Sequence, residues 1–330
     1  MTPIDVLDAV LEAPIVPSFT RIGFAARRGL GSWKDLDDYD LTGRVVLLTG
    51  ATSGLGLAAA TQLARCGADL VVVGRSEERN AAAVAQLGHD TGNDRITQIP
   101  ADMGDLMQVR ALAERFVGDH DRLDVLIHNA GALSGERQEA PDGTEATVAS
   151  QVVGPFLLTG LLLGQLAASA PSRVLTMSSG GMYASSLTVE GLQMRPGEYS
   201  GAKQYSLAKR AQVTLNELWA EKFGDQGIHF HALHPGWADT PGVDAALPTF
   251  GKVMGPLLRT PQEGADTLVW LAADSAALDS SGLFWLDRRV RRTHRLRSTR
   301  EADTVERRAR LWDTVCAMAG ISPSIPDAPG

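Results

Sequence analysis

Cysteine is nearly missing: only Cys66 and Cys316 occur in 330 residues. There is therefore no disulfide framework, no C-x-x-C redox pair and no thiolate set for zinc, and a reducing, cytoplasmic setting is expected. The start, Met1-Thr2-Pro3-Ile4-Asp5, has an acid where a secretory signal would have its basic start and apolar run, so export is not expected. Long hydrophobic runs are scarce. The longest, residues 152–168, contains Pro155 and falls short of the roughly 20 residues a bilayer span needs, so it is read as a buried helix. Positive charge is not in excess either: the formal net charge is −8, which opposes nucleic acid as a main partner. No period of about 20–50 residues recurs, which leaves out solenoids and propellers. With 44% apolar and 21% charged residues, the composition argues for a globular chain rather than a disordered or fibrous one.

From Arg44 onward, short β-branched runs alternate with helix-length apolar periodicity, the pattern of βαβ units around a parallel sheet. Strands are predicted at 45–49, 70–73, 96–100, 125–128, 174–177, 228–233 and 283–286. The expected fold class is α/β, a doubly wound parallel sheet of about seven strands with helices on both faces, a three-layer sandwich. Residues 1–42 lie outside this pattern and mix Phe19, Ile22, Phe24, Leu30 and Trp33 with Arg21, Arg27 and Arg28. They either pack across the domain, with the arginines as a solvated face, or rest on a membrane surface. Residues 43–287 form the expected catalytic domain. Residues 288–330 form an arginine-rich tail interspersed with Glu301, Asp303 and Glu306, read as a charge-paired surface helix ending in Leu311 and Trp312.

Thr49-Gly50-Ala51-Thr52-Ser53-Gly54-Leu55-Gly56 leaves the first strand and opens a helix. Its three glycines stand where the backbone must turn sharply and approach an anion, and helix-terminal N–H groups would face a pyrophosphate. At the end of the second strand a carboxylate would accept from the ribose 2′-hydroxyl of NAD, whereas an arginine pairs with the 2′-phosphate of NADP. Gly74-Arg75-Ser76 stands there, so Arg75 points to NADP(H), unless Glu77 or Glu78 pairs with it. Tyr205 and Lys209, four residues apart on a predicted helix, project from one face. A neighbouring ammonium lowers a phenol pKa from about 10 toward neutrality, which suits proton transfer to a carbonyl oxygen. The pair follows Met177-Ser178-Ser179-Gly180-Gly181; Ser179 is the assigned serine and Ser178 the fallback. A Gly-x-Ser-x-Gly elbow is lacking, so a serine hydrolase is not favoured. His229, His231 and His234 lack a completing carboxylate, and no metal site is assigned.

The spacing Gly-x-x-x-Gly-x-Gly, with the Tyr-x-x-x-Lys and serine segments, resembles the short-chain dehydrogenase/reductase family from about Leu41 to Asp287. Its Rossmann-type fold is implied with it. The resemblance further implies that Asp102-Met103 contacts adenine, and that Asn129-Ala130-Gly131 lies at the cofactor. It implies that Lys209 reaches the nicotinamide ribose, that Pro235-Gly236-Trp237 lines the nicotinamide, and that Thr240 contacts its carboxamide or a phosphate. Gln151 stands where the family has an asparagine that holds a relay water, so the relay survives with displaced geometry or activity is reduced. The long gap between Ser179 and Tyr205, with His-Pro-Gly-Trp-Ala-Asp-Thr-Pro-Gly-Val, resembles the dehydrogenase/reductase SDR family member twelve type.

The gap, with Met182, Tyr183, Leu187, Leu192 and Met194, is expected to form a mobile cover. With Trp237, Val243, Leu247, Phe250, Val253, Met254 and Leu257 it would enclose an apolar chamber. The expected function is NADP(H)-dependent interconversion of an apolar ketone or aldehyde and its alcohol; the alternative is a cofactor-binding interaction protein with weak or lost catalysis. A homo-oligomer is expected, because residues 152–166 and the Tyr205 helix with Trp219 are too apolar to face water.

Overall fold

The structure, a computed structural model, describes residues 3–239 and 254–323. Three helices come first, α1 (Pro3–Glu12), α2 (Ile15–Phe19) and α3 (Arg21–Leu30). Then follow β1 (Val45–Thr49), α4 (Gly54–Arg65), β2 (Asp69–Gly74), α5 (Glu77–Thr91), β3 (Ile96–Pro100), α6 (Leu106–Asp119) and β4 (Val125–His128). The second half contains α7 (Ala146–Val148), α8 (Gly154–Leu161), α9 (Leu163–Ala168), β5 (Ser172–Met177), α10 (Gly201–Phe223) and β6 (Ile228–Leu233). It ends with α11 (Pro261–Ala273), β7 (Leu283–Leu286), β8 (Arg289–Arg291), α12 (Arg297–Glu301) and α13 (Val305–Ala319).

The sheet has eight strands in the order β3-β2-β1-β4-β5-β6-β7-β8, parallel through β7 with β8 antiparallel. It is the doubly wound, three-layer sheet expected, with one strand more than the seven read from the pattern. β8 escaped because three residues, Arg289-Val290-Arg291, are too few to show an alternation. Alternate side chains of β1 enter two cores: Val46 and Leu48 pack with α4 and α11, and Val45 and Leu47 with α6, α8 and α10. The strand order reverses between β1 and β4, and the crevice at their C-terminal ends is where open α/β sheets bind ligands.

Both flanks pack on this body. Residues 152–168 are buried helix, as expected, but α13 covers them: Trp312 lies 4.9 Å from Phe156 and 4.9 Å from Trp219, ring to ring. The tail helix is thus not a charged surface element ending at Trp312. It runs on to Ala319 and buries Leu311, Trp312, Val315 and Cys316. The apolarity of α8 and α10 that motivated self-assembly is met within the chain. At the other end Arg27 is 3% exposed and ion-paired, so the arginines of the extension are not simply a solvated face.

Candidate active site

The glycine turn leaves β1 tightly braced. Gly50 donates to Val73 O at 2.7 Å with φ of 71°. A Cβ on Gly56 would lie 1.9 Å from Gly50 O, so α4 starts closer to the strand than any other residue allows. Thr49 and Asn129 supply the bracing. The Thr49 hydroxyl accepts from the N–H of Asn129 and of Ala130, each at 3.1 Å, while Asn129 Nδ2 donates to Thr49 O and Gly50 O. Their side chains hold the two strand ends at a fixed distance. Ser53 precedes α4 without capping it, no acid occupies the first turn, and Gly54 is left-handed at φ of 52°. The first N–H groups of α4 are therefore not satisfied by side chains, which leaves them to an anion.

Arg75 is exposed at the end of β2 and makes no ion pair among the described residues. Ser76 instead caps α5 by accepting from Arg79 N, and Glu77 and Glu78 leave the guanidinium unpaired. Asp102, half-buried, accepts from Gly104 N at 2.8 Å. Met103 is buried, and its carbonyl packs against Gly154. Gly131 is exposed and lies over the Gln151 side chain.

At the end of β5, Ser179, Tyr205 and Lys209 come together. Lys209 Nζ lies 5.1 Å from the Tyr205 ring centre and donates to Met177 O at 2.9 Å. Burial pulls the Lys209 pKa down to about 7, with no carboxylate among the described residues acting against it. Burial likewise pushes the Tyr205 phenol up to about 12, a hydrogen bond with Ser179 acting the other way. Ser179 Oγ is itself oriented by Gly181 N, whereas Ser178 donates to Lys209 O from a buried position. Of the two serines, Ser179 therefore faces the phenol and Ser178 ties β5 to α10.

Gln151 sits in a π-helical turn, Ala149–Val153, a distortion that often marks a functional position. Its Nε2 donates to Ala132 O at 2.7 Å and its main-chain carbonyl accepts from Gln212 Nε2 at 2.6 Å. Its Oε1 is buried without a partner beside a cavity of about 30 Å³ that His128, Gln212 and Asn216 also line. The histidines do not converge: His229 bonds Ser280 O, His231 bonds Ala277 O and Trp285, and His234 is buried among aromatic groups.

A family profile described as short chain dehydrogenase matches residues 44–249. The chain belongs to the short-chain dehydrogenase/reductase family. It is 39% identical over 266 residues to human dehydrogenase/reductase SDR family member 12, covering 79% of this chain and 83% of that one. To bovine retinol dehydrogenase 12 it is 32% identical over 292 residues, covering 86% and 89%. Among solved structures, an uncharacterized protein of Mycobacterium paratuberculosis superposes with TM-score 0.69 at 25% identity, covering 88% of this chain and 98% of that one. The NADP complex of Pseudomonas aeruginosa RhlG superposes with TM-score 0.61 at 26% identity, covering 74% and 94%. Family members are oxidoreductases that use a nicotinamide dinucleotide, and the site suits one. An uncapped helix end could hold the pyrophosphate, the unpaired Arg75 could take a 2′-phosphate, and the buried Lys209 ammonium could reach the ribose.

The cover between Ser179 and Tyr205 is packed down rather than loose. Arg210 donates to Met182 O and Ser185 O, Gln204 donates to Leu192 O, and Leu187 and Leu192 join the main core. A buried guanidinium satisfied by carbonyls opposes the expected lid motion. Met254 and Leu257 are half-buried near Arg259, while Thr240, Val243, Leu247, Phe250 and Val253 lie outside the described residues. The sequence named Phe19 and Asp287 only as parts of the flanks and did not single out Arg259. Phe19 is 3% exposed against His234, and Arg259 chelates Asp287. Nothing local marks an arginine as buried, and no spacing ties Phe19 or Asp287 to it.

Proposed function

We propose that the chain is an NADP(H)-dependent oxidoreductase interconverting an apolar ketone or aldehyde and its alcohol. The observation that carries this reading is the grouping of Tyr205, Lys209 and Ser179 at the end of β5, with a buried amine that has no anionic partner among the described residues. When bound, the nicotinamide supplies or accepts the hydride. Ser179 Oγ donates to the substrate carbonyl oxygen and orients it, and Tyr205 Oη holds the proton that this oxygen takes up. Lys209 Nζ, once charged, favours the phenolate left behind. Trp237, partly buried against Phe19, and half-buried Met254 are the described members of the apolar chamber expected from the sequence, and an apolar substrate is proposed on that expectation.

Turnover of NADPH across a panel of lipophilic ketones and aldehydes tests this. Tyr205→Phe should lower turnover by about 10² to 10⁴ with cofactor still bound, and Lys209→Met should lose rate and cofactor affinity together. Full activity in Tyr205→Phe would sink the assignment. A chain that binds NADPH yet reduces nothing would favour the interaction-protein reading that Gln151 motivates. NADPH should bind at least about tenfold tighter than NADH, with Arg75→Asp reversing the preference.

Helix α1 turns Asp5, Asp8 and Glu12 inward onto Arg289, Arg291 and Arg295, which leaves Val6 and Val10 half or more exposed. Exposed Arg21 and Ile22 follow, a surface suited to peripheral contact with anionic lipid. Co-sedimentation with phosphatidylserine vesicles, lost in Val10→Glu, checks it; no helix among the described residues is long and apolar enough to cross a membrane. A homo-oligomer would use a surface other than α8 and α10, and light scattering distinguishes it from a 35.1 kDa monomer.

A further inference from the structure

The N-terminal extension ends its second helix at the reacting end of the sheet. The Phe19 ring meets His234 edge-on at 4.3 Å and Trp237 at 5.8 Å. It also fills the space a Cβ on Gly180 would need, 2.6 Å away, directly beside Ser179. Its carbonyl accepts from Trp237 N at 2.7 Å. The turn after β6 is thereby held on one side by the extension. Its other side borders the glycine turn, for a Cβ on Gly264 would meet both Leu55, at 2.5 Å, and Ala238, at 3.0 Å. Residues 235–238 therefore span from the anion-binding turn to Ser179.

A buried clamp fixes this arrangement. Asp287, wholly buried, accepts from both ends of the Arg259 fork at 2.6 and 3.0 Å and from Arg27 Nη1 at 2.6 Å. Arg259 also donates to Phe19 O, Ser18 O and Pro235 O, and lies where a Cβ on Gly236, itself at φ of 76°, would stand 2.2 Å from its Nε. Asp287 and Arg288 link β7 to β8 with φ of 55° and 54°, a turn that ordinarily takes asparagine and glycine. Such backbone persists only where its surroundings over-determine it. Here the two guanidinium groups do so.

We infer that Phe19 is a positioning residue that holds residues 235–238 where the reacting half of the cofactor binds, and that Arg27, Asp287 and Arg259 lock the extension in that place. The inference rests on the cofactor reading above. Because the Phe19 ring meets this segment on the side of Ser179 and not at Leu55 of the glycine turn, loss of Phe19 should weaken contact with the nicotinamide half and spare the phosphate half.

The test titrates the full chain with NADPH and with 2′,5′-ADP, which carries the adenosine and 2′-phosphate but no nicotinamide. Phe19→Ala should weaken NADPH about tenfold while 2′,5′-ADP stays within about twofold, and Phe19→Leu should recover most of the loss. Arg27→Met should give the same split more weakly. Equal weakening of both ligands assigns Phe19 a general structural role and overturns the inference, as does unchanged NADPH affinity. A wild-type chain that binds NADPH no better than 2′,5′-ADP overturns it too. A wild-type chain that binds neither ligand removes the cofactor reading, a separate result, and the inference with it. Should Phe19→Ala fail to fold, Phe19→Met serves in its place.

Discussion

The N-terminal extension and helix α13 both cover the sheet body, the first mainly through buried ion pairs set around Phe19 and Phe24, the second mainly through apolar surface with Arg308 paired to Glu217 and Asp303 at its edge. The extension is held by Arg27, Arg291 and Arg295 against Asp8, Glu12 and Asp287. Helix α13 is held by Leu311, Trp312 and Val315 packed on Phe156 and Trp219. Apolar burial is strong and tolerant of small displacements; buried ion pairs add little net stability but fix direction and distance. The flank beside Ser179 and Trp237 is fastened mainly by the directional kind, and the flank that packs on α8 and α10 mainly by the strong kind.

Removing the Trp312 ring should expose this difference most. Trp312→Ala is expected to cost about 3–5 kcal/mol in denaturant unfolding while the folded fraction binds NADPH as the wild type does; a weakened NADPH affinity would blur the division between flanks. Next comes Asp287→Asn, which leaves two buried arginines under-compensated. It should cost about 3 kcal/mol and open residues 1–30 to limited proteolysis before the body, an order that simultaneous cleavage would contradict.

Acid should separate the flanks as well. Burial raises the Asp8 pKa, but hydrogen bonds and charge from Arg291 and Arg27 outweigh it and hold the carboxyl at about 2, below its ordinary 3.8. A depressed carboxylate stabilises the fold above its unfolded pKa and loses that contribution as pH falls through its folded one. Roughly 2 kcal/mol should disappear between about pH 4 and pH 2, read as earlier loss of hydrogen-exchange protection in α1 and α3 than in α13. Loss of both at one pH would mean the ion pairs do not act separately. The smallest effect is expected at Val10, 63% exposed on the outer face of α1: Val10→Ser should change stability by no more than about 0.5 kcal/mol, and a larger loss would place that face inside the fold.

Local patterns carried most of the body. Five strands, β1, β3, β4, β6 and β7, have the bounds the alternation predicted, since a buried parallel strand shows itself as a short β-branched run between turns. The glycine turn and the Tyr205–Lys209 pair were legible for the same reason: one is a contiguous turn, the other an i, i+4 spacing on one helix. Gln151 was found by position, but its π-helical setting and the capture of its carbonyl by Gln212, 61 residues away, were not.

The sequence by itself determined the sheet, the glycine turn after β1 and the placing of Tyr205 and Lys209 on one helix face, because periodicity and short spacing act within one element. Tertiary structure alone decided which arginine is buried and on what. Phe19 O meets Arg259 across 240 positions and Arg27 meets Asp287 across 260, distances over which no periodicity speaks. It also decided that α13, not a second copy, lies on Phe156 and Trp219. A pattern records how strongly a side chain avoids water; which partner removes it from water is settled only when the chain closes on itself.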